Sequence, residues 1–253
     1  NPMPTLTERF MYNAKDTIDQ NNINIMVCNN GTTNSATAPS VSYMGASVSV
    51  SVVWGDGSQT LTEATLDADN PAHRIAAESF NSAYTTLRSQ SARPPGGGFS
   101  RRFPALVSPE IGGDLRTDGT FQDVALKGMQ RGEDKFEAAM IGEVFGVKVL
   151  ESENVSVNFP GTVDATNDQI IRCPVVGDGY AARVSYSNSG QPKVNFIPPG
   201  KADKNDPYGL IGILVWKARV ATQGVLNPLA GVIIKVATTR AKSRVQDDDQ
   251  TWQ

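Results

Sequence analysis

The sequence predicts an α+β fold with a mixed or antiparallel sheet, on three observations. Stretches with strand periodicity outnumber stretches with helical periodicity. The strands interleave with only two or three helices instead of alternating with them one for one, and no repeat of fixed period runs through the chain. At 253 residues, 39% hydrophobic and 19% charged, the chain is long enough to bury roughly 70% of its unfolded surface, in one large domain or two modest ones.

The elements follow in order. Leu6, Phe10, Ala14 and Ile18 fall four apart after Pro4, the spacing of a helix that buries one stripe, and the pattern weakens at Asn21 and Asn22. Ile23, Ile25 and Val27 then alternate, which predicts a strand before the polar loop from Asn29 to Pro39. Ser47 to Trp54 sets valines on one face and serines on the other, a half-buried strand. Gly55-Asp56-Gly57 turns the chain, and Thr60 to Thr65 is a plausible hairpin partner.

A second helix is expected to begin near Asp69, with Pro71 at an early position, to bury Ala76, Phe80, Ala83, Tyr84 and Leu87, and to end before Pro94. Pro94 to Gly98 is either a linker or a loop to the next strand. Phe103 to Val107 reads as a buried strand. Ser108-Pro109-Glu110 reads as a helix start, with Ser108 as cap, Pro109 at the first helical position and Glu110 against the helix dipole. Glu143 to Glu151, around Gly146, reads as two short strands or one bent strand. Further strands are expected at Ala181 to Tyr186, Lys193 to Ile197, Leu210 to Thr222, and Val225 to Val236 with a break at Asn227-Pro228. The tail from Thr238 carries Arg240, Lys242 and Arg244 and then Asp247 to Asp249, a solvated or partner-docked end.

Composition excludes several functions. Lys and Arg number 23 against 26 Asp and Glu, a net charge of -3, so no global positive field holds nucleic acid. The longest apolar stretch, Leu210 to Trp216, is far short of the ~20 residues of a membrane span, so no membrane is expected as a partner. Cys28 and Cys173 permit one disulfide or two ordinary thiols, and no Cys-rich zinc site.

His73 is the sole histidine, so a Ser-His-Asp triad would have to use it; its position predicts a half-exposed residue in the first turn of the second helix. Gly177-Asp178-Gly179 followed by Tyr180-Ala181-Ala182 has the spacing of a dinucleotide loop, but strand and turn residues follow where a helix is required, so it reads as a turn. Asp67, Asp69 and Asn70 open like a calcium loop, yet Pro71 and Ala72 stand where a ligand and a glycine are needed, and they read as helix caps. Arg101-Arg102 beside Phe99 and Phe103 reads as a solvated or subunit-facing pair; Glu133-Asp134 and Glu151 with Glu153 read as surface carboxylates. No catalytic, cofactor-binding or metal-ligating residue is assigned, no cofactor is expected, and the chain reads as a structural or interaction protein and not an enzyme.

Ala105-Leu106-Val107-Ser108-Pro109-Glu110, continuing to Asp114-Leu115-Arg116, resembles a segment of the major capsid proteins of tailed double-stranded DNA bacteriophages. Gly142 to Ser152 is similar to that family's strand pair around a glycine turn. Asp206-Pro207-Tyr208-Gly209, Trp216-Lys217 and Leu226-Asn227-Pro228 resemble its carboxy-terminal block. The resemblance spans roughly residues 100 to 240 and implies the Hong Kong 97 capsid fold: a peripheral domain with a spine helix, an axial domain, an extended loop and an amino-terminal arm. It places residues 1–98 as the end of the spine helix, a peripheral hairpin and the second helix. Residues 99–240 become the axial domain and the returning peripheral strands, and 241–253 a polar tail.

Because the sequence opens at Asn1, the arm and extended loop are expected either to have been removed by maturation proteolysis or to belong to a longer chain. The implied function is self-assembly into pentamers and hexamers of an icosahedral shell around phage DNA. Implied partners are the chain itself, scaffolding, portal and decoration proteins, and double-stranded DNA without sequence preference. The implied location is the virion, assembled in the host cytoplasm. The alternative is a virion decoration or carbohydrate-binding β-rich module, which should group surface aromatics on one strand face, whereas Trp54, Trp216 and Trp252 are scattered in sequence.

Overall fold

The computed structural model describes residues 3–27, 40–43, 46–55, 57, 73–96, 102–123, 140–155, 169–183, 193–197, 200, 212–217 and 223–238. The chain divides into two compact units, one of residues 1–22 and 183–223, the other of 23–182 and 224–253.

The larger unit is organised by a six-stranded sheet. Its strands are β3 (Ser51–Trp54), β4 (Phe103–Val107), β5 (Met140–Val144), β6 (Val147–Glu151), β7 (Gln169–Val176) and β12 (Gly231–Thr238), in the order β3-β12-β7-β4-β6-β5. β12 runs parallel to β3 and antiparallel to β7; β4 runs antiparallel to β7 and parallel to β6; β5 and β6 are antiparallel. The sheet is therefore mixed and the class α+β, as the sequence predicts. All eight residues of β12 are buried, so this strand is covered on both faces, which is why Val232 to Ala237 reads as a nearly continuous apolar run.

Helix α2 (Ala77–Ser89) buries Ala77, Phe80, Ala83 and Leu87 and packs on β3, β5 and β12. The i, i+3, i+4 spacing of these residues makes the stripe, and each large side chain so buried contributes about 1.5–3 kcal/mol. Tyr84, on the flank of the stripe, meets Phe103 of β4 edge to face at 5.9 Å between centroids. Helix α3 (Pro109–Leu115) starts as read: the Ser108 hydroxyl accepts from the Ile111 backbone N–H at 3.4 Å, and Pro109 follows the cap. Asp118 then accepts from the backbone N–H groups of Thr120, Phe121 and Ala77, so one carboxylate caps a helical turn at 119–123 and holds the first residue of α2.

Three expectations change. The first helix does not give way to a strand at Ile23: α1 runs from Met3 to Val27. Ile23 and Val27 are buried four apart on the helix, and the Tyr180 hydroxyl donates to the carbonyl of Met26 at 2.5 Å, satisfying one of the last-turn carbonyls that a helix leaves open. Ser47 to Trp54 is not one strand. It divides at buried Val50 into β2 (Ala46–Ser49), antiparallel to β1 (Ser40–Tyr43), and β3, which joins the large sheet. The second helix begins at Ala77, and His73 lies in the segment before it. The turn after Trp54 forms, with Gly57 N–H donating to the Trp54 carbonyl at 2.8 Å. Thr60 to Thr65, the helix start at Asp69 and Pro71, and the tail beyond Thr238 lie outside the described residues.

Of the expected later strands the described residues form β8 (Ala181–Arg183) and β10 (Ile213–Lys217), and Lys193 to Ile197 forms β9 as read; β11 (Gln223–Val225) pairs with β8, and positions 184–186, 210, 211 and 218–222 lie outside the described residues. Between β11 and β12, Pro228–Ala230 make a 3-10 turn capped by the Asn227 side chain, which accepts from Leu229 N–H at 3.1 Å.

Candidate assembly surfaces

Among the described residues, the side chains that could carry chemistry stand apart or are committed to packing. His73 is half-buried, and its backbone carbonyl and that of Arg74 would lie only 2.7 and 2.6 Å from a Cβ placed on Gly55. The segment therefore packs directly against glycine backbone at the end of β3. Cys173 is fully buried in β7, and burial pushes its thiol up to about 12, against the smaller opposing effect of a hydrogen bond from the Ser108 backbone. Such a thiol is protonated and inert at neutral pH; Cys28 lies outside the described residues.

Glu151 accepts from Arg116 at 2.8 Å, and Arg102 pairs with Glu143. Both arginines are more than half exposed, so each pair contributes about 0–1 kcal/mol. Arg101, Glu133, Asp134, Asp67, Asp69 and Asn70 lie outside the described residues. Among the described residues no three His, Cys, Asp or Glu side chains gather as metal ligands, and no helix is long and apolar enough to cross a membrane.

The Gly177-Asp178-Gly179 motif is a turn between β7 and β8, with no helix after it to face a phosphate. It holds the sheet's end together. Gly177 N–H donates to Ala230 at 2.7 Å, Asp178 N–H to Arg93 at 2.7 Å, and Leu226 N–H to Tyr180 at 2.8 Å. A Cβ on Gly177 would meet the Ala230 oxygen at 2.7 Å, so the close backbone approach selects glycine.

A buried basic pair was not legible in the sequence. Arg172 of β7 stands directly across from Lys235 of β12, and Trp54 flanks Lys235 on the other side, its ring 5.4 Å from the ammonium. Arg172 is 1% exposed and Lys235 6%. The indole face contributes up to about 2 kcal/mol to a desolvated cation. The traces in the sequence are an arginine and a lysine, each inside an apolar run, which become a site only when strand pairing brings them together with Trp54.

Among the described residues, large hydrophobic side chains are exposed in small, separate places. In the larger unit Phe145 is 40% exposed at the tip of the β5–β6 hairpin, with a left-handed backbone (φ +48°) followed by Gly146 at +79°. Leu226 and Leu229 stand out beside the 3-10 turn. In the smaller unit Met11 and Tyr12 project from α1, and β9 and β10 form a two-stranded antiparallel ribbon in which Phe196, Ile197, Ile213, Val215 and Trp216 are exposed. Only the ribbon groups several of them together, and it is grouped apolar surface, unlike single exposed residues, that suits contact with other protein.

No protein-family model matches the chain, and no curated protein matches it. Solved structures do. A chain of the capsid of Ralstonia phage GP4 matches at a TM-score of 0.50 and 11% identity, over 77% of this chain and 54% of that one. The capsid of cyanophage P-SCSP1u matches at 0.48 and 12% identity over 93% and 66%, and that of Helicobacter pylori bacteriophage KHP30 at 0.46 and 13% over 94% and 69%. The match to the Ralstonia phage GP4 chain shows the fold of a phage capsid chain, and this chain spans about half of that chain's length.

Proposed function

We propose that this chain is the major capsid protein of a tailed bacteriophage, a structural subunit that self-assembles into pentamers and hexamers of an icosahedral shell around double-stranded DNA. The observation that carries the reading is the shared fold with the Ralstonia phage GP4 capsid chain, joined to the scattered exposed apolar surface, which is of use to a subunit that contacts copies of itself on several sides. A net charge of -3 suits a wall beside packaged DNA, since a strongly basic wall would bind and retain the genome.

In this reading residues 1–98 supply the end of the spine helix and peripheral elements, 99–240 the axial domain and returning strands, and 241–253 a polar tail. The function is mechanical, and no residue is assigned a catalytic, cofactor or metal role. Scaffolding, portal and decoration proteins are the expected partners, and the virion the location, with assembly in the bacterial cytoplasm.

The carbohydrate-binding alternative gains one observation, because Phe196 and Trp216 share a ribbon face. That face is otherwise Val194 and Leu214 and offers no polar side chain to a sugar hydroxyl, which a specific sugar site requires.

Sedimentation velocity with negative-stain microscopy of the full gene product, co-expressed with its scaffolding protein, tests the reading. Rings or closed shells of uniform diameter are expected. A species that stays at one subunit mass overturns it.

A further inference from the structure

An Asp-Gly pair is a point at which a chain isomerises without an enzyme, because glycine has no side chain to keep the carboxyl group before it from its own backbone nitrogen. Two such pairs lie wholly within the described residues, Asp118-Gly119 and Asp178-Gly179. The fold treats them oppositely.

Asp118 is held at both of its carbonyl groups. Its carboxylate accepts from the backbone N–H groups of Ala77 and Thr120 at 3.2 Å and of Phe121 at 3.3 Å, and its backbone carbonyl accepts from Gln122 N–H at 3.0 Å. Side chain and peptide plane are both fixed. Asp178 and Gly179 are instead the exposed centre of a β-turn, closed by Tyr180 N–H on the Gly177 carbonyl at a long 3.4 Å, with Gly179 at φ +73°. Among the described residues no hydrogen bond reaches the Asp178 carboxylate, the Asp178 carbonyl or the Gly179 N–H. A Cβ on Gly179 would meet no heavy atom within 4 Å. The peptide plane between the two residues has room to rotate, and so has the side chain.

We propose that Asp178-Gly179 is a site of spontaneous isomerisation, at which the peptide link moves from the α- to the β-carboxyl group of Asp178. The Gly179 nitrogen attacks Cγ of the protonated side chain; the N–Cγ bond forms, the Cγ–OH bond breaks, and the amide proton leaves with the hydroxyl as water. A five-membered imide results. Water then opens it in one of two ways: breaking the original bond from the Asp178 backbone carbonyl carbon to the Gly179 nitrogen gives the β-linked residue, and breaking the new bond restores aspartate. One water leaves and one returns, so no other reactant is needed.

The consequence is mechanical. The β-linkage adds one backbone atom between Gly177 and Gly179, in a turn tied by Gly177 N–H to Ala230 and Asp178 N–H to Arg93, both at 2.7 Å, and by Leu226 N–H to Tyr180 at 2.8 Å. Bonds set to the shorter chain cannot all keep their geometry. In the capsid reading a subunit built into a closed shell is not replaced, so the altered turn accumulates as the particle ages.

The experiment ages the full chain in warm neutral buffer, one portion folded and one in urea, and assays tryptic peptides for β-linked aspartate with isoaspartyl methyltransferase and fragmentation mass spectrometry. The pairs fall on separate peptides, Cys173 to Arg183 and Thr117 to Lys127, while Asn30-Gly31 and Asp56-Gly57 share a third, Asp16 to Arg74. Freeing Asp118 breaks hydrogen bonds to a carboxylate, and losing one of them on the way to attack slows the reaction by about tenfold or more. In the folded chain the β-linked residue is expected to form at least about tenfold faster at 178 than at 118, with similar rates in urea. Equal rates in the folded chain, or a turn that protects 178 as fully as 118 is protected, overturn the inference. The urea midpoint of the aged chain is expected to fall in step with the β-linked fraction. Asp178→Glu, whose longer side chain closes the ring far more slowly, is expected to keep its midpoint. An aged wild-type chain with the midpoint of fresh protein, or an equal fall in Asp178→Glu, overturns the mechanical consequence. The isolated chain is what is measured, so each of these failures leaves the capsid reading standing.

Discussion

Replacing Gly231 by alanine should destabilise the subunit far more than one methyl group suggests. Gly231 opens β12 with an extended backbone, φ −137° and ψ 153°, which alanine adopts freely. Space is what forbids it: the new Cβ would lie 2.1 Å from Cε2 and 2.3 Å from Cδ2 of Tyr180. The ring has nowhere to retreat. Tyr180 is 2% exposed, its hydroxyl donates to Met26 at 2.5 Å and its carbonyl accepts from Leu226 at 2.8 Å.

Relieving the clash costs about 1–3 kcal/mol of overpacking, and releasing the Met26 carbonyl costs about 1–3 more. The two overlap, because one shift of the ring does both, so the expected loss is about 2–4 kcal/mol. Urea unfolding followed by circular dichroism measures it. The reasoning makes a second demand through a mutant cycle. Tyr180→Ala costs about 3–5 kcal/mol by itself, but in that background Gly231→Ala should cost nothing, or stabilise by about 0.4–1 kcal/mol, since alanine narrows the unfolded ensemble. A Gly231→Ala protein within about 0.5 kcal/mol of wild type, or an undiminished loss in the Tyr180→Ala background, refutes the account.

Other outcomes follow from single residues. Phe145 and Gly146 both have positive φ, the requirement of a primed hairpin turn that favours Asn-Gly, so Phe145→Asn should raise stability by about 0.5–1 kcal/mol on relief of backbone strain; a lower melting temperature would show that Phe145 contributes packing instead. Ser108→Ala should cost about 1 kcal/mol through loss of the α3 cap, read from the urea midpoint; a cost near zero would mean that the hydroxyl caps nothing. The Cys173 thiol is raised from 9.0 to about 12. Between those values the unfolded chain loses a proton that the folded one keeps, so stability is full below pH 9 and falls as pH rises toward 12, by at most about 1.4 kcal/mol per unit. Comparison with Cys173→Ala over pH 8 to 11 isolates this slope, and identical slopes would contradict a buried protonated thiol.

Local chemistry was legible in the sequence wherever one side chain settles a backbone choice. Ser108-Pro109-Glu110 starts a helix because the cap, the fixed φ and the charge all act within one turn. Gly146 separates two strands because the hairpin needs positive φ there, and Lys193 to Ile197 forms the strand its pattern gives. The α+β class followed from counting such segments, and Gly177-Asp178-Gly179 forms the turn that its following residues imply. The likeness to phage capsid chains rested on the order of short segments, and the shared fold agrees with it.

Partners distant in sequence were decided only by the tertiary structure. Ile23 to Val27 has strand periodicity yet stays helical, because Tyr180, 154 residues away from Met26, supplies the hydrogen bond that finishes the helix. Ser47 to Val52 alternates serine and valine straight through the point at which the strand divides, but the two parts join different neighbours, a choice made by β1 and β12. Arg172, Lys235 and Trp54 are unremarkable apart and form a buried row only through the register of three strands. The sides of the β9–β10 ribbon are settled the same way, since a shift of one residue between its strands would leave one lysine on each face. Periodicity fixes what a segment can bury, whereas pairing and register, summed over contacts far apart along the chain, fix where it is buried and which surface is left for another molecule.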